Sequence, residues 1–480
     1  MVKLAELVFI PFPCIGHLVS AVEIAKLLVH RDERISVTVL LIDVSLDPTI
    51  HGYVNSLSSN NRIQYIKLPH VTFPTDGGLE LAIHRIVENH IQPVKEAVTQ
   101  LTMNANRGKD SSQLAGFVID TCCSTMIDVA NEFDVPTYVF HSASAGSLAI
   151  SLLLQSIHDE HNGEAVEFNN SEAELRAPSC ANPVPYKVLP HFPKDPSTKA
   201  FFINCLRKFR EAKGILVNTF MELESRAIGS LTDGEIPPLY PIGPVINLKT
   251  EVDIESSTIM EWLDEQPDSS VVFLCFGSYG SFGSDQTNEI ALALEKSGMR
   301  FLWTIRKPPP KGKMEYPKDM SDFNEFLPDG FLHRTTDVGK VIGWAPQTQI
   351  LSHRAIGGFV SHCGWNSTLE SIHFGVPIAT WPQYSEQQLN AFQLVKEYKL
   401  AQEIRMDYRK KFGADEHEDV VTAEEIINGL RALMEKDCGT RRRMKEMRDI
   451  SKKVVTDGGS SHAFLGKFID DVINNMPRHH

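Results

Sequence analysis

Two strand-length apolar runs, residues 7–12 (LVFIPF) and 271–276 (VVFLCF), each open a train of short β-branched segments that alternate with helix-period stretches. A chain that begins the same alternation twice has few folds open to it. Continuous apolar runs suit parallel strands covered on both faces, whereas half-buried strands alternate residue by residue. In the first train, residues 7–12 lead to Leu18, Val22, Ala25 and Leu28 at helical spacing, and residues 37–42, 63–68, 116–119, 137–140 and 214–217 read as further strands. The pattern breaks around residues 237–244 (PPLYPIGP), and residues 249–257 are polar and charged, so a domain boundary belongs there. The second train holds a helix over 285–297, strands over 301–305, 341–343, 358–361 and 377–380, and amphipathic helices over 422–436 and 441–455. Residues 307–330, rich in Pro and Lys, read as a surface loop. The expected class is α/β, with two Rossmann-like domains facing a cleft and ligands at the carboxyl ends of the strands.

Charge and cysteine usage narrow the partners. Lys plus Arg is 47 and Asp plus Glu is 61, a formal charge of −14, which disfavours nucleic acid and anionic membrane surfaces. The eight cysteines are scattered and form no CxxC pair, so neither a disulfide framework nor a zinc site is implied. Pro11 and Pro13 interrupt the first apolar stretch, unlike a signal peptide, and no apolar run is long enough to span a bilayer. A cytoplasmic monomer without a membrane anchor is expected.

Several motifs stand where the alternation puts strand ends. His17 opens the first helix, in PCIGH, where the helix dipole disfavours a protonated imidazole and so suits a neutral base. Asp120 follows the strand 116–119; it could orient such a base or simply cap the next helix. The turn 277–283 (GSYGSFG) can bring backbone N–H groups against a phosphate. Residues 362–370 (HCGWNSTLE) open a helix with His362, Asn366 and Ser367, a good diphosphate cradle; equally, Ser367 and Glu370 could form a capping box. Trp344 could stack a base or anchor a core, and residues 386–388 (EQQ) could hold sugar hydroxyls or form a solvated first turn. GxxxxGK[ST], HExxH, GxSxG and DxD are all absent.

The 44 residues 344–387 (WAPQTQILSHRAIGGFVSHCGWNSTLESIHFGVPIATWPQYSEQ) closely resemble the signature box of plant secondary-product UDP-glycosyltransferases. The likeness extends to the GHL of residues 16–18, the FGS turn at 276–278 and the WLDEQP run at 262–267. It implies the GT-B fold: residues 1–245 as an acceptor-binding domain, 246–460 as a UDP-sugar-binding domain, and a terminal helix over 461–480 that crosses back to the first. By the same resemblance Trp344 stacks on uracil with the Ala345 backbone at its edge, and Gln347 and Glu370 meet the ribose. His362, Asn366, Ser367 and Ser278 hold the diphosphate. Trp365, Glu386, Gln387 and Ser142 face the sugar. His17 is the general base and Asp120 its partner. The implied reaction inverts an α-linked donor to a β-O-glucoside without a metal or other cofactor. Gln387 points to glucose, with another UDP-sugar as the alternative. The acceptor is a small lipophilic plant metabolite, flavonoid, phenolic or terpenoid, held largely by segments 69–90 and 181–202. A two-Rossmann nicotinamide oxidoreductase would need GxGxxG after an early strand, where this chain has PFPCIG. A non-catalytic binding protein would be favoured by loss of His17 or Asp120, and both are present.

Overall fold

Fifteen strands carry the topology among the described residues of the computed structural model, which are 4–43, 48–71, 79–106, 112–161, 173–190, 196–232, 234–248, 254–310, 316–320, 322–410 and 419–477. They are β1 (Leu4–Ile10), β2 (Ile35–Leu41), β3 (Ile63–Lys67), β4 (Ser112–Asp120), β5 (Thr137–His141), β6 (Glu174–Leu175), β7 (Val184–Pro185), β8 (Gly214–Val217), β9 (Leu239–Pro241), β10 (Val271–Cys275), β11 (Arg300–Thr304), β12 (Gly339–Ile342), β13 (Ile356–Ser361), β14 (Ile378–Thr380) and β15 (Ala401–Glu403). The chain divides into two units. One comprises residues 1–167, 191–246 and 453–480, the other 168–190 and 247–452.

The first unit is built on a parallel sheet in the order β3-β2-β1-β4-β5-β8-β9. Its strands read as unbroken apolar runs because both faces are covered. Along β1, Val8 and Ile10 enter one buried cluster with Ile86, Val94 and Met126. Leu7 and Phe9 enter another with Leu18, Val22, Ala25 and Leu28 of the helix Ile15–Arg31. The second cluster also takes Leu465, Phe468, Ile469 and Val472 from the last helix, Ser460–Asn474. Phe468 packs edge-on against Tyr138 (5.0 Å) and Tyr240 (5.3 Å), and the Tyr240 hydroxyl donates to Asp471 at 2.6 Å.

The second unit repeats the design with the parallel order β12-β11-β10-β13-β14-β15. Val272, Leu274 and Phe276 lie in one cluster with Trp303, Trp381 and Leu430. The helix Ala423–Met434 starts in a complete capping box between Thr422 and Glu425. Within the expected loop 307–330, residues 307 and 318 form a β-bridge and Phe323–Glu325 a 3-10 turn.

Residues 168–190 lie inside the range expected for the first domain, yet they belong to the second unit. Their polar contacts explain why. The Glu397 carboxylate accepts from the backbone N–H groups of Ala181 (2.8 Å) and Asn182 (2.9 Å) and from Asn182 Nδ2 (2.7 Å). Lys187 pairs with Asp407 at 2.9 Å, and Arg409 donates to the Leu189 carbonyl at 3.2 Å. The expected acceptor segment 181–202 is therefore divided: 181–190 sits in the second unit, 196–202 in the first, and 191–195 lies outside the described residues.

Candidate active site

In each sheet the strand order reverses between the first strand and its fourth-position neighbour, which is where open α/β sheets bind ligands. In the first unit these strands are β1 and β4, paired with Ile10 opposite Ile119. The turn after β1 presents His17, and β4 ends in Asp120. The two residues are 103 apart in sequence, and His17 Nδ1 lies 2.8 Å from Asp120 Oδ2. The Asp120 side chain is fully covered while the His17 side chain is 33% exposed, so the pair has a buried anchor and an accessible imidazole. Asp120 makes the contacts that both readings require. One carboxylate oxygen faces His17, and the other caps the following turn by accepting from Cys122 N at 2.9 Å. A carboxylate only accepts, so Nδ1 carries the proton and Nε2 holds the ring's basic lone pair.

Ser142, just past β5, places its hydroxyl oxygen 3.2 Å from the same Nδ1, a contact that its spacing in the sequence does not suggest. The expected acceptor segments meet in part. His84, from 69–90, stacks on Phe201, from 181–202, with centroids 4.4 Å apart. Residues 72–78 of the first segment lie outside the described residues.

The second unit gathers the signature-box residues on adjacent strand ends. Ser278 follows β10, Trp344 and Ala345 follow β12, His362 follows β13, and Glu386 and Gln387 follow β14. The helix Trp365–Phe374 has Gly364 as its N-cap, and its first main-chain bond runs from Thr368 N to Gly364 O. The N–H groups of Trp365, Asn366 and Ser367 precede that bond, so helix geometry turns them toward an anion. The Ser367–Glu370 capping box does not form, because the N-cap is Gly364, three residues before Ser367. Instead Gln347 Nε2 donates to both Ser367 Oγ (2.9 Å) and Glu370 Oε2 (2.6 Å). Enclosure of the Glu370 carboxyl group pushes its pKa up to about 7, and the Gln347 bond counters this in part.

His362 is held between two glycines. A Cβ at Gly277 would come within 2.6 Å of its Nε2, and one at Gly364 within 2.5 Å. Burial pushes the His362 pKa down to about 4, so the ring is neutral at pH 7, and its buried Nδ1 has no protein partner. Gln387 uses its side-chain carbonyl on the backbone N–H groups of Gln383 (2.9 Å) and Tyr384 (3.1 Å), which leaves its amide NH₂ as the group able to donate elsewhere. Trp344 is 46% exposed, unlike the core residues Trp303 and Trp381.

Sequence reading missed Arg306. It follows β11, between the strands that carry Ser278 and Trp344. Its guanidinium lies 5.6 Å from the Trp344 ring centroid and donates to the Ser278 carbonyl at 2.9 Å. A cation just past a strand end was the available signal. No group of three or more His, Cys, Asp or Glu suited to a metal occurs among the described residues, and none of their helices is long and apolar enough to cross a membrane.

A family model described as UDP-glucoronosyl and UDP-glucosyl transferase matches residues 241–429. UDP-glucose flavonoid 3-O-glucosyltransferase 6 of Fragaria ananassa is 49% identical, over 98% of this chain and 99% of its own. UDP-glycosyltransferase 71A15 of Malus domestica is also 49% identical, over 98% and 100%. Among solved structures, the chain resembles UGT71G1 of Medicago truncatula complexed with UDP-glucose: TM-score 0.87, 42% identity, 98% of both chains covered. It also resembles a transferase from Siraitia grosvenorii in complex with UDP: TM-score 0.84, 45% identity, 98% and 100% covered.

Proposed function

The chain belongs to the UDP-dependent glycosyltransferase family and is a glycosyltransferase with the GT-B fold, as residues 344–387 led us to expect; on that footing we propose that it moves glucose from UDP-glucose to a hydroxyl of a small lipophilic plant metabolite, with inversion at the anomeric carbon. The observation that carries the mechanism is the 2.8 Å contact between His17 and Asp120 at the switch point of the first sheet. The likeness to flavonoid glucosyltransferases and to a UDP-glucose complex supports the donor and the acceptor class.

In this reading His17 Nε2 takes the proton of the acceptor hydroxyl. The freed oxygen pair bonds to the anomeric carbon, and the bond from that carbon to the diphosphate oxygen breaks on the opposite face. The imidazolium so formed is stabilised by Asp120 through Nδ1. Ser142 can accept from that same N–H and keep its own O–H for a sugar hydroxyl.

On the donor side, Trp344 stacks on uracil, the Ala345 backbone meets the base edge, and Gln347 and Glu370 take the ribose. The N–H groups at the helix start, with Ser278, His362, Asn366 and Ser367, stabilise the charge that grows on the diphosphate as it leaves. Because His362 is neutral, it contributes one N–H donor and no charge. Trp365, Glu386 and the Gln387 amide face the sugar. No divalent ion is required in this scheme.

The test is product formation by purified protein with UDP-glucose and a panel of flavonoids, simple phenols and triterpenoids. A gain of one hexose is expected on at least one of them. Product with a different UDP-sugar only would overturn the assignment of glucose, and no product with any donor would overturn the whole proposal.

A further inference from the structure

His141 ends β5 beside Ser142, is 8% exposed, and has no part in the chemistry above. Its Nδ1 lies 3.0 Å from Thr121 Oγ1, on the residue after Asp120. Its Nε2 lies 3.2 Å from the Ser144 carbonyl and 3.2 Å from Ser147 Oγ. A carbonyl only accepts, so the proton sits on Nε2, and Nδ1 accepts from the Thr121 hydroxyl, which shares its proton with the Phe140 carbonyl at 3.3 Å. Burial pushes its pKa down to about 4, which keeps the ring neutral at pH 7 and this donor pattern intact.

One imidazole therefore staples the turn after β4 to the turn after β5. These two turns supply the oxygens that meet His17 Nδ1, Asp120 Oδ2 at 2.8 Å and Ser142 Oγ at 3.2 Å. The second turn is pinned from its far side as well. Ser144 Oγ accepts from Ser147 N at 3.0 Å, and the buried Glu224 carboxylate accepts from the N–H groups of Ala145 (2.8 Å) and Gly146 (2.9 Å). The bland alternative is a satisfied core histidine, packed edge-on against Phe209 at 6.5 Å. A core filler needs only shape. The hydrogen bonds of the His141 ring go instead to the two turns that hold the base.

We infer that His141 is a positioning residue for transfer: it fixes the spacing of Asp120 and Ser142 about His17, and through them the tautomer and aim of the base. This rests on His17 being the base.

The test uses the full-length enzyme with His141→Phe, which keeps a ring against Phe209, and with His141→Asn and His141→Gln, which each restore part of the polar link. Transfer from UDP-glucose is measured to 4-nitrophenol, which hardly needs a base, and to an unactivated alcohol, which does. Melting temperature and UDP affinity are recorded alongside. With UDP affinity unchanged, His141→Phe should lower kcat on the alcohol on the order of tenfold and much less on 4-nitrophenol, since small misplacements of a base are expensive in rate. At least one amide variant should recover part of the loss. Equal losses on both acceptors, or no loss in any variant that melts like wild type, would overturn the inference. If His141→Phe does not fold, the two amide variants decide by the same comparison of acceptors. His17→Ala is the control. If it left alcohol transfer intact, the base reading itself would fail; a strong His17 effect beside a silent His141 would sink this inference alone.

Discussion

Burial shifts the proton affinity of two groups in the second unit, Glu370 upward and His362 downward, and each makes a prediction at the residue scale. Enclosure holds the Glu370 carboxyl at a pKa of about 7 in the folded chain, against an ordinary value of 4.5. Below pH 4.5 folded and unfolded chains both hold its proton. Between 4.5 and 7 only the folded chain does, so stability falls as pH rises through this window and the cost is complete above it. Glu370→Gln should therefore melt higher than wild type at pH 8 and not at pH 4. If ribose hydroxyls donate to Glu370, UDP binding favours the carboxylate and releases a proton near pH 7. Calorimetry in buffers of different ionisation enthalpy should detect that proton in wild type and not in Glu370→Gln. The glycines around His362 give a steric test. Gly364 has a φ of −59°, which alanine tolerates, so Gly364→Ala acts by displacing the ring, beside the weaker N-cap that alanine makes. Crowding of about 1–3 kcal/mol should weaken UDP binding on the order of tenfold. Unchanged affinity would remove His362 from the diphosphate site.

At the scale of elements, the parallel strands are legible because burial on both faces writes them as continuous apolar runs, as in residues 7–12 and 271–276. What touches what is far less legible. His17 and Asp120 meet only because β4 lies beside β1, a fact of sheet order that no spacing encodes. The S-x-x-E at Ser367 is a false cap because Gly364 starts that helix earlier, whereas the working box is at Thr422 and Glu425. Arg306 and His141 were overlooked because a lone polar residue after a strand has no periodic signal. The attachment of 173–190 to the second unit comes from side chains far away in sequence, Glu397 on the backbone N–H groups of Ala181 and Asn182, Asp407 on Lys187 and Arg409 on the Leu189 carbonyl. The last helix allows an element-scale test. Phe468 is fully buried between Tyr138 and Tyr240, so Phe468→Ala should cost about 3–5 kcal/mol, read as a lower denaturant midpoint for the first unit. A loss under 1 kcal/mol would mean that the helix contributes little to that core.

For the whole molecule, the same topological reversal occurs in both sheets and is used for different chemistry. In the first it brings His17 to the Asp120 carboxylate. In the second it sets a glycine turn beside His362 and a helix start suited to a diphosphate. In the mechanism proposed above, His17 drives inverting glucosyl transfer from UDP-glucose. The most direct measurement is the product of wild type and of His17→Ala with UDP-glucose and a flavonol, identified by mass spectrometry and by the anomeric proton in NMR. Wild type should yield a β-linked monoglucoside, and His17→Ala at least about a hundredfold less with UDP affinity retained. An α-linked product, or near-normal turnover by His17→Ala, would contradict that mechanism.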